Sequence, residues 1–325
     1  MKISVIIPTF NRSNQLLRVL NSICVSRVEN FSDIEIIVVD DGSSEPSKGI
    51  VDEYNVQKPF RLKYRYQENA GPAAARNNGF SVAEHDIVLF IDDDILVFPD
   101  LLEIHTEAHK DLPGSVVFGR CPLVEPNPIT ASYRYLTSIT NAESSQRYER
   151  VSVVASGNLS VEKTMFLPDG VYEGGLQIPA GEEFELEHRL NQNEIPIYIA
   201  KDAIGWHLQP STIQDKCKQE FKYGVGAAEV WSKAPDIFNN EHISGFLTEN
   251  GYINWSSDGS KLKLKKLVKS LLSIELFRTF VLSSVKAIER ITSVELVLFP
   301  LYRYLCGINL FAGVRRGLKQ FKQDQ

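Results

Sequence analysis

The 325-residue chain has few cysteines, no long apolar run, and no repeated or low-complexity segment. Its four cysteines lie far apart without a CxxC pair, which argues against a zinc site or a disulfide framework. No stretch reaches the roughly 18 consecutive apolar residues of a membrane span, and the apolar start is too short for a signal peptide. The composition, 43% hydrophobic and 23% charged, predicts a globular protein with an ample core.

Charge is unevenly distributed along the chain. The net charge is −6, but the segment from Lys261 to the end carries 13 basic and 4 acidic residues, a net of +9. Leucines interleave with lysines at Lys261, Lys263, Lys265, Lys266 and Lys269. This pattern suits an amphipathic helix on an anionic lipid surface. Alternatively, the tail packs on the rest of the chain or forms a homodimer, and its lysines are solvated. Nucleic-acid binding is disfavoured because the acidic remainder would repel a polyanion.

Short apolar segments predict buried strands at Ile3–Pro8, Ile34–Val39, Leu62–Tyr66 and Ile87–Ile91. Segments with helical periodicity separate these strands, so we predict an α/β fold with a mostly parallel sheet. After about residue 115 the pattern is mixed, with further strands predicted at Val116–Phe118, Val151–Ala155 and Ile197–Ala200.

Polar clusters follow three of the predicted strands. They are Thr9–Arg12 after the first strand, Asp40–Asp41 after the second and Asp92–Asp94 after the fourth. Ligands of parallel sheets gather at the carboxyl ends of the strands, where these clusters should meet. Three adjacent carboxylates repel one another, and a divalent cation such as Mg²⁺ or Mn²⁺ relieves that repulsion and commonly brings substrate phosphates with it. The alternative for the triplet alone is a solvated acidic turn.

Six segments occur in a characteristic order: SVIIPTFNR, IEIIVVDDGSSE, NAGPAAARNNGF, DIVLFIDDDI, SGNLSVEK and GEEFEL. Over roughly residues 1–230 this set closely resembles the family 2 glycosyltransferases. The resemblance implies a GT-A fold and transfer of a sugar from a nucleotide diphosphate donor, usually with inversion and with Mg²⁺ or Mn²⁺. It implies a nucleotide-sugar-binding half (1–115) and an acceptor and catalytic-base half (116–231). A connector (232–260) and a basic amphipathic helical tail (261–325) would follow.

By this resemblance, the first strand ends at the donor site. Pro8 and Thr9 match the wall of the base and ribose site, and Asn11 and Arg12 are placed beside them. Arg76, in AARNNG, matches a basic residue near the donor, where the planar donor fork of arginine suits phosphate.

Carboxylates after the second and fourth strands complete the donor site. Asp41 matches the residue that recognises the nucleobase, because a carboxylate can accept the imide N–H of uracil, whereas Asp40 supports the turn. Asp92 and Asp94 form the D-x-D pair. We expect Asp94 to ligate the metal directly, and Asp92 or Asp93 to face the ribose. The preference for a UDP-sugar rests on analogy alone.

The resemblance also supplies a catalytic base. The family usually presents a Glu-Asp pair at a helix start, and this chain has Glu182-Glu183, so Glu183 takes the place of the base. Alternatively, acidic residues in a first turn merely favour the helix dipole. Asn158 and Trp206 could shape the acceptor pocket beside Glu182, although the tryptophan could equally be core. His207 could contact the metal or diphosphate, or be structural.

One further motif is a pair of histidines at helical spacing. His105 and His109 lie at i and i+4, a spacing that could hold a metal on a helix face. The sequence HTEAH is nevertheless not the metalloprotease pattern HExxH, so a solvated helix is favoured.

Together these features predict a bacterial-type transferase that builds cell-surface polysaccharide or glycolipid. It would act in the cytoplasm, peripherally on the inner face of the cell membrane, on a glycan or lipid-linked acceptor. A sugar nucleotidyltransferase is the enzyme alternative, but PTFNR stands where that class has a GxGTR-like loop. The non-enzyme alternative is a nucleotide-sugar-binding scaffold, which the glutamate in place of aspartate leaves open.

Overall fold

A computed structural model describes residues 1–122, 146–173, 181–208, 212–233, 252–292 and 294–321. These residues form two compact units. The first unit contains residues 1–122, 146–173 and 186–208, and the second contains residues 181–185, 212–233, 252–292 and 294–321. The predicted domain boundaries stay a prediction, and most of the predicted connector, 234–251, lies outside the described residues.

The first unit is built on a sheet of nine described strands. The strands are β1 Lys2–Thr9, β2 Asp33–Asp41, β3 Phe60–Gln67, β4 Ile87–Ile91, β5 Ile95–Val97, β6 Val116–Arg120, β7 Tyr148–Val151, β8 Asn158–Glu162 and β9 Ile197–His207. The helices, in chain order, are α1 Ser13–Cys24, α2 Lys48–Glu53, α3 Pro72–Val82, α4 Leu101–Asp111, α5 Glu182–Gln192, α6 Ile213–Lys233, α7 Ser260–Leu272, α8 Glu275–Glu289 and α9 Glu295–Phe321. A short 3-10 helix covers Lys163–Phe166.

The strand order is β3-β2-β1-β4-β8-β6-β9-β5, and β7 also pairs with β9. Strands β1 to β4 are parallel to one another, as predicted. Beyond β4 the sheet is mixed, because β8 runs antiparallel to both β4 and β6, whereas β6 and β9 are parallel. The chain winds to one side of β1 through β2 and β3 and to the other side with β4. This reversal creates a crevice at the carboxyl ends of β1 and β4, the position where open α/β sheets bind ligands.

Buried β-branched residues explain why the strands of the parallel half of the sheet form. In β1, Ile3, Val5 and Ile7 point into one core layer, and Ile6 points into the other. All four side chains are fully buried. Successive side chains of a strand face opposite sides, so a strand that is covered on both faces needs an unbroken apolar run rather than alternation.

The sequence located the first four strands well but missed later ones. Strand β9 extends from Ile197 to His207, well past the predicted end at Ala200. The apolar β5 escaped prediction because it is only three residues long, and β8 escaped because its apolar residues alternate with polar ones and form no continuous run. The strand predicted at Val151–Ala155 is instead β7, which ends at Val151.

Glycines let α6 and α9 of the second unit approach closely. A Cβ atom built on Gly224 would lie 2.2 Å from the Leu310 carbonyl oxygen, and one on Gly313 would lie 2.0 Å from the Phe221 carbonyl oxygen. These distances are far below van der Waals contact, and the obstructing atoms are backbone atoms that cannot turn aside. Glycine is therefore required at these two positions, where α6 and α9 cross.

Gly313→Ala is expected to lower the stability of the second unit by about 1–3 kcal/mol, because the added methyl group forces α6 and α9 apart. Gly307→Ala is the matched control in the same helix, since nothing lies within 4 Å of its added Cβ. Alanine favours a helix over glycine, so this control should be neutral or stabilising by up to about 1 kcal/mol. Thermal unfolding of both variants measures the difference, and equal shifts would contradict the proposed close crossing.

Helix α9 qualifies by length and composition as a candidate membrane span over Leu296–Phe321, in which the most apolar 18-residue window has a mean hydropathy of 1.4. This helix contains no long run of consecutive apolar residues, because charged residues such as Arg303 and Arg315 interrupt it, so the sequence alone does not predict a span here. Half of the apolar window is buried within the protein, and Leu305, Phe311 and Val314 are among its buried side chains. A core helix of a soluble protein has the same length and composition.

Candidate active site

The ends of β1 and β4 meet at the crevice where the strand order reverses. The Thr9 hydroxyl at the end of β1 donates to Asp93 Oδ2 at 2.8 Å. Arg12, three residues further on, donates from Nη1 to Asp93 Oδ1 at 2.9 Å and to Asp94 Oδ2 at 2.8 Å. Two of the clusters predicted to share one edge of the sheet are therefore in direct contact, and neighbouring Pro8 is buried while Asn11 is exposed.

The acidic triplet forms a tight turn between β4 and β5. The Ile95 amide donates to the Asp92 carbonyl at 3.1 Å, and the Asp92 amide donates to the Gly157 carbonyl at 3.1 Å. A Cβ atom on Gly157 would lie only 2.8 Å from Asp92 Oδ2. Glycine before β8 thus leaves room for the Asp92 carboxylate, which explains the glycine of the SGN segment.

Two arginines neutralise much of the charge of the triplet. Arg12 bridges Asp93 and Asp94, and the buried Arg76 donates from Nη2 to Asp92 Oδ1 at 2.6 Å. The Arg76 guanidinium also lies 5.2 Å from the centre of the Tyr172 ring, a cation–π distance. We placed both arginines near the donor, and the structure brings each of them to a carboxylate of the triplet.

His207 adds a third basic group, with Nε2 3.3 Å from Asp94 Oδ1. Burial opposes ionisation of both partners, yet their mutual attraction prevails. It raises the pKa of His207 and, together with Arg12, lowers the pKa of Asp94. For Asp93, burial raises the pKa to about 6, since Arg12 and Thr9 offset the cost of burial only in part and Asp94 adds like-charge repulsion. Neighbouring carboxylates are thereby driven to opposite protonation behaviour, a feature common at functional sites.

The end of β2 contributes two carboxylates with different surroundings. Asp40 is fully buried and accepts hydrogen bonds from the Ser43 and Ser47 amides and the Tyr64 hydroxyl, so it holds the turn after β2. Asp41 accepts from Gln67 Nε2 and the amides of Ala70 and Gly71.

The loop after β1 joins the loop after β2 at the same edge. Asn11 adopts a left-handed backbone conformation with φ 55°. Its amide donates to Ser43 Oγ and its side-chain oxygen accepts from the Ser44 amide, both at 2.9 Å. Asparagine tolerates this conformation better than most residues, so its place in the PTFNR segment has a structural reason.

His105 and His109 are buried rather than solvated, which overturns our expectation for this helix. Asn158 Nδ2 donates to the Ala203 carbonyl at 3.0 Å, so its Oδ1 faces His105 Nε2 at 2.9 Å and must accept from it. His105 Nδ1 and His109 Nε2 each lie 2.8 Å from the Ser160 hydroxyl oxygen, within hydrogen-bond distance. Burial disfavours the charged form of both imidazoles.

This network ties α4 to β8, immediately after the glycine that makes room for Asp92. No local sequence pattern reveals this network, because the partners of the two histidines lie about fifty residues away along the chain. Asn158, predicted to shape the acceptor pocket, is buried inside this network.

Acidification should destabilise the protein through these histidines. Burial lowers the pKa of His105 to about 3 and that of His109 to about 4. The pKa of a histidine in the unfolded chain is about 6.5. As the pH falls below this pKa, only the unfolded state gains protons, so the free energy of unfolding decreases until the pH reaches the pKa of the histidine in the folded state. Each histidine should cost about 2 kcal/mol at pH 5.

Urea unfolding at pH 7 and pH 5 measures this loss. His109→Gln should flatten the pH dependence, whereas His188→Gln, the control outside the network, should leave it unchanged. Equal pH dependence in all three proteins would rule out His109 as a cause of this loss.

The remaining predicted residues have the following places. Trp206 lies on β9 opposite Leu96 and is partly exposed. Glu182 and Glu183 begin α5, within residues 181–185 of the second unit, where Glu182 is buried and Glu183 is partly exposed. No cluster of three or more His, Cys, Asp or Glu side chains able to hold a metal occurs in the described part of the chain.

Comparisons with known proteins agree with this architecture. Residues 4–164 match the profile described as Glycosyl transferase family 2. Glycosyltransferase AglE of Haloferax volcanii is 27% identical over 229 residues, which are 70% of this chain and 74% of AglE. The GalNAc(5)-diNAcBac-PP-undecaprenol beta-1,3-glucosyltransferase of Campylobacter jejuni is 44% identical over 124 residues, 37% of this chain and 38% of that enzyme. The chain thus spans from over a third to three quarters of the length of these two relatives.

Solved structures show the same fold. The mannosyltransferase PcManGT of Pyrobaculum calidifontis, in complex with GDP-Man and Mn²⁺, aligns with a TM-score of 0.59 at 15% identity, over 95% of this chain and 86% of its own. TarS of S. aureus aligns with a TM-score of 0.53 at 18% identity, over the whole of this chain and 92% of its own. The expected GT-A fold is confirmed, and the chain carries a glycosyl transferase family 2 domain over residues 4–164.

Proposed function

We propose that this protein is a metal-dependent, inverting glycosyltransferase that moves a sugar from a nucleotide diphosphate donor to a hydroxyl group. One observation carries the proposal. Thr9, Arg12, Asp93, Asp94 and His207 converge by hydrogen bonds and ion pairs at the crevice where the strand order reverses. Such a crevice is where nucleotide ligands bind in open α/β sheets.

The donor proposed is a UDP-sugar. Asp41 reads the nucleobase, since its Oδ2 accepts one hydrogen bond, from Gly71, and an anionic oxygen can accept another. Arg12 is the cation available to the diphosphate, because its side chain is about half exposed. The TarS structure in complex with UDP and the PcManGT structure in complex with GDP-Man both share the fold, so the choice of uridine rests on analogy.

The residues present fit a divalent metal that arrives with the donor. Asp94, Asp92 and His207 supply carboxylate oxygens and an imidazole nitrogen, a ligand set that suits Mn²⁺ or Mg²⁺. Because no group of three or more such side chains in the described part of the chain is arranged to hold a metal by itself, substrate phosphates would have to complete the metal shell. When bound, the metal would neutralise charge on the departing nucleoside diphosphate.

Glu183 is proposed as the base that takes the proton from the acceptor hydroxyl. Glu182, Asn158 and Trp206 stay candidates for shaping the acceptor pocket, and Asn158 would do so through the backbone of β8, since its side chain is buried. The proposed acceptor is a glycan or lipid-linked sugar in cell-surface polysaccharide synthesis, because the Campylobacter relative is named for an undecaprenol-linked substrate. The corresponding location is the cytoplasmic face of the cell membrane.

A thermal-shift screen of UDP-, GDP- and dTDP-sugars with and without Mn²⁺ tests the donor site. A cognate donor at 100 times its dissociation constant should stabilise the fold by about 2.7 kcal/mol. Stabilisation that requires Mn²⁺, followed by transfer or donor hydrolysis, supports the proposal. Metal-dependent binding without turnover on any acceptor would indicate a nucleotide-sugar-binding scaffold, and no stabilisation by any donor would refute the donor site.

A further inference from the structure

Helix α7 of the second unit presents its apolar side outward. Leu264, Leu267, Val268 and Leu271 follow the i, i+3, i+4, i+7 spacing of one helical face, and each is 43–63% exposed. A lysine instead takes the inward position. Lys266 is buried, and its Nζ donates to Asp258 Oδ2 at 2.7 Å. A helix packed only for its own domain has the opposite arrangement.

Further exposed apolar residues follow α7 in the chain. Ile274, between α7 and α8, is half exposed, and it is followed by exposed Leu276, Phe277 and Phe280 on α8. We call these four residues and the four exposed apolar residues of α7 the α7–α8 face. Soluble proteins rarely expose so many large apolar side chains in one short segment, and those that do commonly use them for binding.

Positive charge flanks this face. At 100° per residue, exposed Lys261 and Lys265 lie on one side of the apolar stripe, and Lys263 lies on the other. The segment from Gly259 to Ile274 contains no acidic residue. The Lys263 ammonium lies 6.0 Å from the ring centre of Trp255, which is 73% exposed. An apolar stripe with lysines at its borders and a neighbouring tryptophan is the composition of a helix that lies in a membrane interface.

A surface of this kind could bind either a second copy of the chain or a lipid bilayer, and its positive charge favours the bilayer. A symmetric contact with a second copy would place the same patch against itself and bring its flanking lysines together. An anionic bilayer instead attracts these lysines, and each basic residue near such a surface contributes about fivefold to binding.

We propose that the α7–α8 face is a docking surface for an anionic phospholipid bilayer. The apolar side chains enter the headgroup boundary, and Lys261, Lys263 and Lys265 reach the phosphates. This inference gives the proposed membrane-side location a specific surface. It rests on that part of the proposed function and not on the sugar-transfer chemistry, so vesicle binding and turnover can fail separately.

Flotation of the full chain with vesicles tests the proposal. We expect binding to phosphatidylcholine vesicles that contain 30% phosphatidylglycerol, weaker binding at high salt, and little binding to pure phosphatidylcholine. Leu264→Glu with Leu271→Glu should weaken binding at least about tenfold. Lys261→Gln with Lys265→Gln should weaken it by about 25-fold, about fivefold for each lysine. All four positions are exposed, so the fold should survive, and thermal unfolding checks this.

Two controls match these variants on the first unit. Val25→Glu places the same charge at an exposed apolar position, and Lys110→Gln removes an exposed lysine. Neither should change vesicle binding. Trp255 fluorescence should shift to the blue on binding, and Trp255→Phe should abolish that shift while flotation persists.

Absence of binding to anionic vesicles would overturn the proposal, as would equal loss of binding in the face variants and the controls. Light scattering tests the alternative, in which the face binds a second copy of the chain. If the leucine variants convert a dimer to a monomer and leave vesicle binding unchanged, the face is an interface between copies of the chain.

Discussion

Glu183→Gln is expected to lower the rate of sugar transfer by about 10²–10⁴-fold while leaving donor affinity nearly unchanged. An inverting transfer needs a carboxylate to take the proton from the acceptor hydroxyl, and a glutamine amide cannot accept it. Steady-state transfer assays give the rate, and donor-induced thermal stabilisation gives the affinity. The separation of the two effects identifies a group that acts in the chemical step.

Glu185→Gln is the matched control, because it removes the same charge from the same first turn of α5. Loss of a favourable interaction with the helix dipole costs both variants about 0.3–1 kcal/mol in stability. Glu183→Asp, which restores the residue usual in the family, should retain part of the activity. Equal losses of activity in the two glutamine variants would show that these glutamates serve only the helix terminus.

Asp94→Asn is expected to abolish Mn²⁺-dependent donor binding and to lower transfer by about 10²–10³-fold. The amide has nearly the same shape, so the turn between β4 and β5 should persist. It lacks the charge that a metal requires, and it no longer attracts Arg12 and His207, which the carboxylate contacts at 2.8 and 3.3 Å. Mn²⁺ affinity from electron paramagnetic resonance measures the loss independently of activity.

Asp202→Asn provides the comparison for this variant, because it removes an exposed carboxylate from β9, the strand that carries His207. It should leave Mn²⁺ affinity and transfer unchanged. Retention of metal-stimulated transfer by Asp94→Asn would show that the metal is held elsewhere, and the assignment of the D-x-D pair would have to be abandoned.

The sequence by itself determined the parallel half of the sheet and the edge that carries the site. Apolar runs such as Ile3–Ile7 have to be buried on both faces, and a parallel sheet between helices satisfies that requirement. Carboxyl ends of parallel strands share one edge, so the polar residues after β1 and β4 had to meet there. The direct hydrogen bond from Thr9 to Asp93 confirms this prediction.

Only the tertiary structure decided which partners the polar residues have. Arg12 and Asp93 are 81 residues apart, and His105 and Asn158 are 53 residues apart, so no local pattern joins them. The HTEAH segment therefore had the composition of a solvated helix, yet its histidines are buried because hydroxyl and amide partners arrive from β8.

Distant parts of the chain also decide which residues of the basic tail are buried. Its spacing predicted amphipathic helices, but spacing alone does not tell which face of a helix is covered. The burial of Lys266 beside Asp258 and the exposure of the leucine stripe follow from the packing of α7 in the second unit. Periodicity is a local property that sequence determines, whereas the environment of each face depends on distant parts of the chain.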